Sequence, residues 1–483
     1  MTALAETTSC PTTAPTSAPT TGTTTGATAA TAAPAVQPLL PVVGGSTTVP
    51  LVDGTQRVYA NLDYAASAPA LQAVADRVAE VLPLYASVHR GAGYLSQVST
   101  ALYESARQAV ARFVDAREDD VAIITRNTTD SLNLLAGVVP TGERVLVLDL
   151  EHHANLLPWL RSSDPHGRRT TILPIAETVA ATLESLRAEL TARAYALVTV
   201  SGASNVTGEA LPVERVVEIA HAAGARVAVD GAQLVPHRGF SLARTGADYV
   251  AFSGHKTYAP FGAGALVGRR DWLDTGTPYL AGGGAVRDVR ADRTVWQPAP
   301  ARHEAGSPNV IGAIALAEAC DALAALPAGA LVEHERALRD RLVAGLERVP
   351  GVRVASIWPD SAEPVGVVTF TVEDHDPGLV AAYLAAEHGI GVRDGRFCAH
   401  PLLSRLGASG GAIRASVGVG TPSEAVDRLV AALHAYVTDG PRSRYAVEDG
   451  CWAVVDDTRP LLAVHGLDHL AATAAAACGP ALD

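Results

Sequence analysis

The sequence predicts an α/β protein, with a large domain on a mostly parallel sheet followed by a smaller C-terminal α+β domain. Three observations carry this. Between about residues 70 and 270, apolar runs of strand length alternate with stretches whose apolar residues recur at helical spacing, the rhythm of a parallel sheet covered by helices. After Gly351 the order changes to two or three strand-like runs with helices for one side. At 483 residues, 48% hydrophobic and 18% charged, the chain is long enough for two or three soluble domains.

In chain order, residues 1–48 are almost entirely Thr, Ala, Pro, Ser and Gly and are expected to form a disordered tail, because they hold too little apolar surface to offset their ordering entropy. The large domain is expected over 49–309. Its candidate strands are Val121–Thr125, Arg144–Leu148, Ala196–Ser201, Arg226–Asp230 and Tyr249–Ser253, interleaved with helical patterns at Leu71–Val81, Leu183–Ala192 and Val213–Ala222. The small domain is expected over 310–439. It opens with a long helix, a break at Pro327 and a second helix to about residue 348, then Val352–Val354, Val365–Val372, a helix near Leu379–Glu387, a strand near Ile413–Ser416 and a helix at Ser423–Tyr436. Residues 440–483 form an appended segment with a strand-like Cys451–Val455 and an Ala-rich tail.

Bulk properties narrow the function classes. A net charge of −13 argues against nucleic-acid and anionic-membrane partners and points to a small molecule. Cys10, Cys320, Cys398, Cys451 and Cys478 form no C-x-x-C pair and no metal-ligand spacing, which suits a reducing cytoplasm and predicts no metal site. No uncharged apolar run is long enough to span a membrane, and the N-terminus lacks the pattern of a signal peptide.

The sharpest signal is that Lys256 is the only lysine beside 36 arginines. In a GC-rich genome, a lysine that merely carries charge drifts to arginine. A survivor has work arginine cannot do, such as losing its proton and attacking a carbonyl. The segment Tyr249-Val250-Ala251-Phe252-Ser253-Gly254-His255-Lys256 places this amine just past the carboxyl end of a buried strand, where open α/β sheets bind ligands and where a Schiff-base lysine belongs. Another strand ends at Asp230, 26 residues upstream. A lone aspartate there reads equally well as a helix cap, but paired with the lysine it suits the pyridine nitrogen of pyridoxal 5'-phosphate (PLP). Thr128 and Thr129 open a helix after a third strand, where hydroxyls and free amides can cradle phosphate and Thr128 can equally serve as N-cap. His152 could stack on a cofactor ring, and Asn205 could reach its phenolic oxygen.

Taken in order, the motifs resemble the class V aminotransferase superfamily of fold-type I PLP enzymes, and within it the cysteine desulfurase and selenocysteine lyase group. They are Leu62-Asp63-Tyr64-Ala65-Ala66-Ser67, His89-Arg90-Gly91, Thr128-Thr129, Glu151-His152-His153-Ala154-Asn155, Asp230-Gly231-Ala232-Gln233, Ser253-Gly254-His255-Lys256, Glu304-Ala305-Gly306-Ser307-Pro308-Asn309 and Arg393-Asp394-Gly395-Arg396-Phe397-Cys398. The resemblance covers roughly residues 58–437 and implies a seven-stranded sheet in the large domain. It also implies a Schiff base on Lys256, Asp230 at the pyridinium, Gln233 at the phenolic oxygen and His152 over the ring. Thr129, Ser253 and His255 would hold the phosphate, with Ser307 reaching it from the other subunit of a homodimer. Arg414 would face the substrate carboxylate, with Arg393, His89 and Ala66 on the substrate side.

Cys320 lies in an apolar helical run and reads as a small buried hydrophobe, whereas Cys398 lies in a polar, glycine-containing loop near Arg393 and Arg396, cationic groups that favour a thiolate. The resemblance then makes Cys398 the sulfur acceptor that takes a persulfide as L-cysteine becomes L-alanine, for delivery to a sulfur-acceptor protein or small molecule. Two departures bear on the substrate. Ala92-Gly93-Tyr94 stand where desulfurases often carry a second histidine, and Arg396-Phe397 stand where two polar residues are common. The alternatives are a selenocysteine lyase, a C–S lyase, an epimerase or an aminotransferase on the same scaffold, or a protein that holds PLP without turnover.

Overall fold

A computed structural model describes residues 34–89, 91–160 and 169–460. Seven strands build the principal sheet: β1 (Asp120–Thr125), β2 (Arg144–Leu148), β3 (Arg169–Leu173), β4 (Leu197–Ser201), β5 (Arg226–Asp230), β6 (Tyr249–Ser253) and β7 (Gly264–Arg269). Their spatial order is β1-β7-β6-β5-β4-β2-β3. β6, β5, β4, β2 and β3 pair in parallel, while β7 runs antiparallel to both β6 and β1. Five of these strands are continuous apolar runs because helices cover both faces, which removes any polar side to alternate with.

Two strands escape the sequence pattern. β3 (RTTIL) lies at the sheet edge and is partly exposed, so it lacks an apolar run. β7 (GALVGR) carries two glycines that read as a turn, yet both are set by crowding: a Cβ on Gly268 would lie 2.1 Å from the Asp248 carbonyl oxygen, and one on Gly264 would lie 2.7 Å from that of Phe252.

The covering helices are α1 (Gln72–Val81), α2 (Tyr94–Phe113), α3 (Thr128–Val138), the short α4 (His153–Leu156), α5 (Val179–Ala192), α6 (Val213–Ala222) and α7 (Val310–Ala324). α7 was expected to open the small domain. Instead its Val310, Ala313, Ile314, Leu316 and Cys320 join the core that contains Tyr103 and Val110 of α2 and Val250 and Phe252 of β6. This helix thus packs with the large sheet as well as opening the segment expected for the small domain.

A second core lies between α8 (Ala330–Leu346), α9 (Pro377–His388), α10 (Ser423–Asp439) and a four-stranded antiparallel sheet of order β8-β9-β11-β10. The strands are β8 (Val352–Val354), β9 (Val367–Val372), β10 (Arg393–Gly395) and β11 (Ala412–Ser416). The sequence suggested two or three strands. β10 is the addition, three residues too short and polar to leave a pattern. In the appended segment β12 (Tyr445–Glu448) and β13 (Cys451–Val454) form a hairpin against α9, with the Trp452 ring over Gly378. The Ala-rich tail, Cys10 and Cys478 lie outside the described residues.

The tail boundary at residue 48 is also corrected. The Val36 amide donates to Ser423 Oγ (3.0 Å) and the Leu39 amide to the Val419 carbonyl (2.7 Å), while Thr48–Pro50 pairs with Gln56–Val58. The reason is local: Leu39, Leu40 and Val42 supply apolar surface that the Thr/Ala composition hides, and they pack beside Tyr64, Leu71 and Tyr258.

Candidate active site

The carboxyl ends of the parallel strands open on a cavity of about 390 Å³, also lined by Arg393, Phe397, Cys398 and Arg414. One wall is the start of α3. Asn127, not Thr128, is its N-cap, its Oδ1 accepting from the Asp130 amide at 2.9 Å. Thr128 is drawn to the neighbouring strand end instead: its amide donates to Ser253 Oγ (2.8 Å), and the two hydroxyls are 2.6 Å apart. Thr129, Ser253 and His255 complete this end, which joins hydroxyls to helix-terminal amides.

Asp230 lines the cavity at the end of β5. It is 4% exposed, Oδ1 accepts from the Ala232 amide at 3.0 Å, and burial raises its pKa above the usual carboxylate range. Lys256 faces it across the cavity. Burial pushes the amine down to about 8; Asp230 opposes that shift and Arg414 adds to it. His152 lines the cavity from the N-cap of α4, where Nδ1 accepts from the Ala154 amide at 3.0 Å. Burial first, then the charges of Lys256, His153 and Arg414, lower its pKa to about 3. The ring is therefore neutral, and with Nδ1 accepting, its proton sits on Nε2.

On the substrate side, Arg414 Nη2 donates to Asp63 Oδ1 and Nη1 to the Asn205 carbonyl, each at 3.0 Å, while the guanidinium lies 5.2 Å from the Phe397 ring centroid. Its Nε is buried without a partner among the described residues. Arg393 stands directly opposite in the β10–β11 register. The Asn205 side chain donates to the Phe397 carbonyl at 2.8 Å, so in this chain it fixes the loop that carries the thiol. Phe397 and Cys398 both have positive φ, 50° and 53°, and the Cys398 carbonyl accepts from the His153 amide at 2.9 Å. Consecutive left-handed residues that are neither Gly nor Asn hold strain, and here the strain lifts an exposed thiol over the cavity.

The cavity thus gathers Thr128, Thr129, His152, Asn205, Asp230, Gln233, Ser253, His255, Lys256, Arg393, Cys398, Arg414 and Ala66. Two expected residues are not brought in. His89 is turned away, its Nε2 2.8 Å from Glu104 Oε1, and Ser307 is exposed outside the cavity of its own chain. Among the lining residues, sequence reasoning gave no role to Ser201 and Ala203. Ser201 carried a usable signal, since it ends a buried strand as Asp230 and Ser253 do. Among the described residues no group of three His, Cys, Asp or Glu side chains could hold a metal, and no helix is long and apolar enough to cross a membrane.

The donor set fits PLP. There are hydroxyls and amides for a phosphate, a buried carboxylate for a pyridinium and a low-pKa amine for the aldehyde. In addition, Gln233 donates from Nε2 to the Ala65 carbonyl (2.7 Å) while its Oε1 is buried with no partner among the described residues, an open position for a phenolic group.

Fold and cavity together fit a PLP enzyme, with a buried lysine and an exposed thiol lining the same cavity. The family model for class V aminotransferases matches residues 60–429. Over 390 residues the chain is 36% identical to a probable cysteine desulfurase of Vibrio cholerae, covering 80% of this chain and 94% of that protein. It is 37% identical to a cysteine desulfurase of Dickeya dadantii, covering 79% and 92%. The crystal structure of a cysteine desulfurase from Escherichia coli superposes with a TM-score of 0.71 at 33% identity, covering 78% of this chain and 94% of that one. The chain belongs to the class V aminotransferase family.

Proposed function

We propose that the protein is a PLP-dependent cysteine desulfurase that takes sulfur from L-cysteine onto Cys398 and releases L-alanine. The observation that carries this reading is the exposed Cys398 thiol on a strained loop lining the same cavity as Lys256. When bound, PLP supplies an electron sink for charge developing on the substrate. The residues do the rest. Thr129, Ser253 and His255 would hold the phosphate, Asp230 the ring nitrogen, and His152 would lie against the ring as a neutral imidazole that cannot compete for the Asp230 charge. The unpartnered Nε of Arg414 offers a donor to the substrate carboxylate, with Arg393 beside it.

Lys256, with a pKa near 8, holds a useful neutral fraction at physiological pH and can take the proton from the substrate Cα and return it. The Cys398 thiolate then forms an S–S bond to the substrate sulfur as the substrate C–S bond breaks. The electron pair left on the substrate carbon is protonated, giving alanine and an enzyme persulfide. A thiol on an acceptor protein or small molecule would collect the sulfur.

The reading extends to a cytoplasmic homodimer. Exposed Leu82, Tyr85, Tyr94 and Leu95 around the His89 loop, together with Ser307 lying outside its own cavity, support a partner subunit to which this chain lends residues. Cys320 and Cys398 are free thiols, in keeping with a reducing compartment. The test is Cys398→Ala. Alanine release from L-cysteine is expected to fall at least 100-fold while cofactor binding is retained, and release at the wild-type rate would remove Cys398 from the mechanism.

A further inference from the structure

Behind His152 lies a carboxyl that the proposed chemistry does not use. Glu151 is fully buried and, among the described residues, hydrogen-bonds only neutral donors: Asn155 Nδ2 to Oε2 at 2.6 Å, Ser201 Oγ to Oε2 at 2.7 Å and the Ser201 amide to Oε1 at 3.1 Å. Asn155 Oδ1 in turn accepts from Thr199 Oγ1 at 2.6 Å, so the network ties the segment carrying His152 to β4. The charged group facing it from the adjoining strand is another carboxylate, Asp230, which is paired in register with Ser201. His152, its chain neighbour, is neutral. Two buried carboxylates side by side with no cation bonded to the rear one cannot both stay ionised at low cost. Asp230 has Lys256 near it, so the proton belongs on Glu151.

That proton has one good place to go. Ser201 Oγ is 2.7 Å from Oε2, and if Oε2–H donates to it, the serine hydroxyl hydrogen is released from Glu151. Ser201 is only half-buried and lines the cavity beside Asp230, so the released hydrogen points toward the space between them. We propose that Glu151 is a positioning residue that, as a neutral acid, turns the Ser201 hydroxyl into a fixed hydrogen-bond donor to the bound cofactor beside Asp230. Ser201 is then a further cofactor-binding residue. An ionised Glu151 would hold the hydrogen itself and leave Ser201 only an acceptor on the cavity side.

The proposal rests on the PLP reading, and the holoenzyme can test the two separately by the pH titration of its visible cofactor band and by the cofactor dissociation constant. Glu151→Gln keeps a neutral donor in place, so its titration midpoint is expected within about 0.2 pH unit of wild type and its dissociation constant within about twofold. Ser201→Ala is expected to weaken cofactor binding about tenfold, the scale of one net hydrogen bond, and the double variant no further than Ser201→Ala alone. A midpoint shift near one pH unit in Glu151→Gln would mean that a carboxylate charge had been removed and would overturn the proposal. Unchanged cofactor binding in Ser201→Ala would overturn it too. A wild-type protein that takes up no PLP would instead overturn the cofactor reading itself.

Discussion

Because Lys256 is the sole lysine, its proton equilibrium can be measured on one residue without mutation. Burial moves the amine from its ordinary 10.5 to about 8. At pH 7.5 the neutral fraction then rises from about 0.1% to about a quarter, a gain on the order of 200-fold in amine able to attack a carbonyl. Cofactor-free protein would be labelled with an amine-acylating reagent across pH 6–11, and modification read by mass on the peptide carrying Lys256, which separates it from the α-amine. The rate is expected to reach half its maximum near pH 8. Asp230 is the neighbour that favours the ammonium form, so Asp230→Asn is expected to move the midpoint lower. Arg414 acts in the opposite sense, and Arg414→Gln is expected to move it higher. A wild-type midpoint near 10, or an upward shift in Asp230→Asn, would refute the argument that desolvation activates this lysine.

Glu151 gives a stability test. Its folded-state pKa is raised from 4.5 to about 8 by burial, so between those values the folded protein keeps a proton that the unfolded chain releases. That contribution is whole below about pH 4.5 and is lost as pH rises through 8, so wild-type Tm should fall more steeply from pH 5 to 8 than that of Glu151→Gln; parallel curves would contradict it. Gly264→Ala should press a methyl to within 2.8 Å of Asn127 Cα, at the cap of α3. A cost of about 1–3 kcal/mol in denaturant unfolding and weaker cofactor retention are expected, and wild-type values for both would show that the α3 cap yields without consequence.

How much of this was legible in the sequence depended on burial. Strands such as β5 and β6, buried on both faces, are continuous apolar runs that stop on Asp230 and Ser253, so strand and site residue announced each other. β7 was hidden by glycines that crowding requires, and α2 by Tyr94 and Leu95, whose exposure blurs its amphipathic pattern. The packing of Leu39 and Leu40 was masked by the composition around them. The role of Glu151 could not be read from spacing at all, because it depends on which charged groups lie within its reach, which the folded arrangement reveals. His89 and Ser307 lie beyond the cavity of a single chain, where no pattern along one sequence could place them.

The loop at Phe397–Cys398 is tied at two successive carbonyls, one to Asn205 and one to His153. A nucleophile moored that way is a fixed post and not a swinging arm. On the desulfurase reading, the sulfur would not be carried out to its recipient. The recipient must instead bring a thiol slender enough to reach the cavity mouth, so the geometry of delivery is imposed on the acceptor, which has to present its own reactive sulfur at the tip of something narrow.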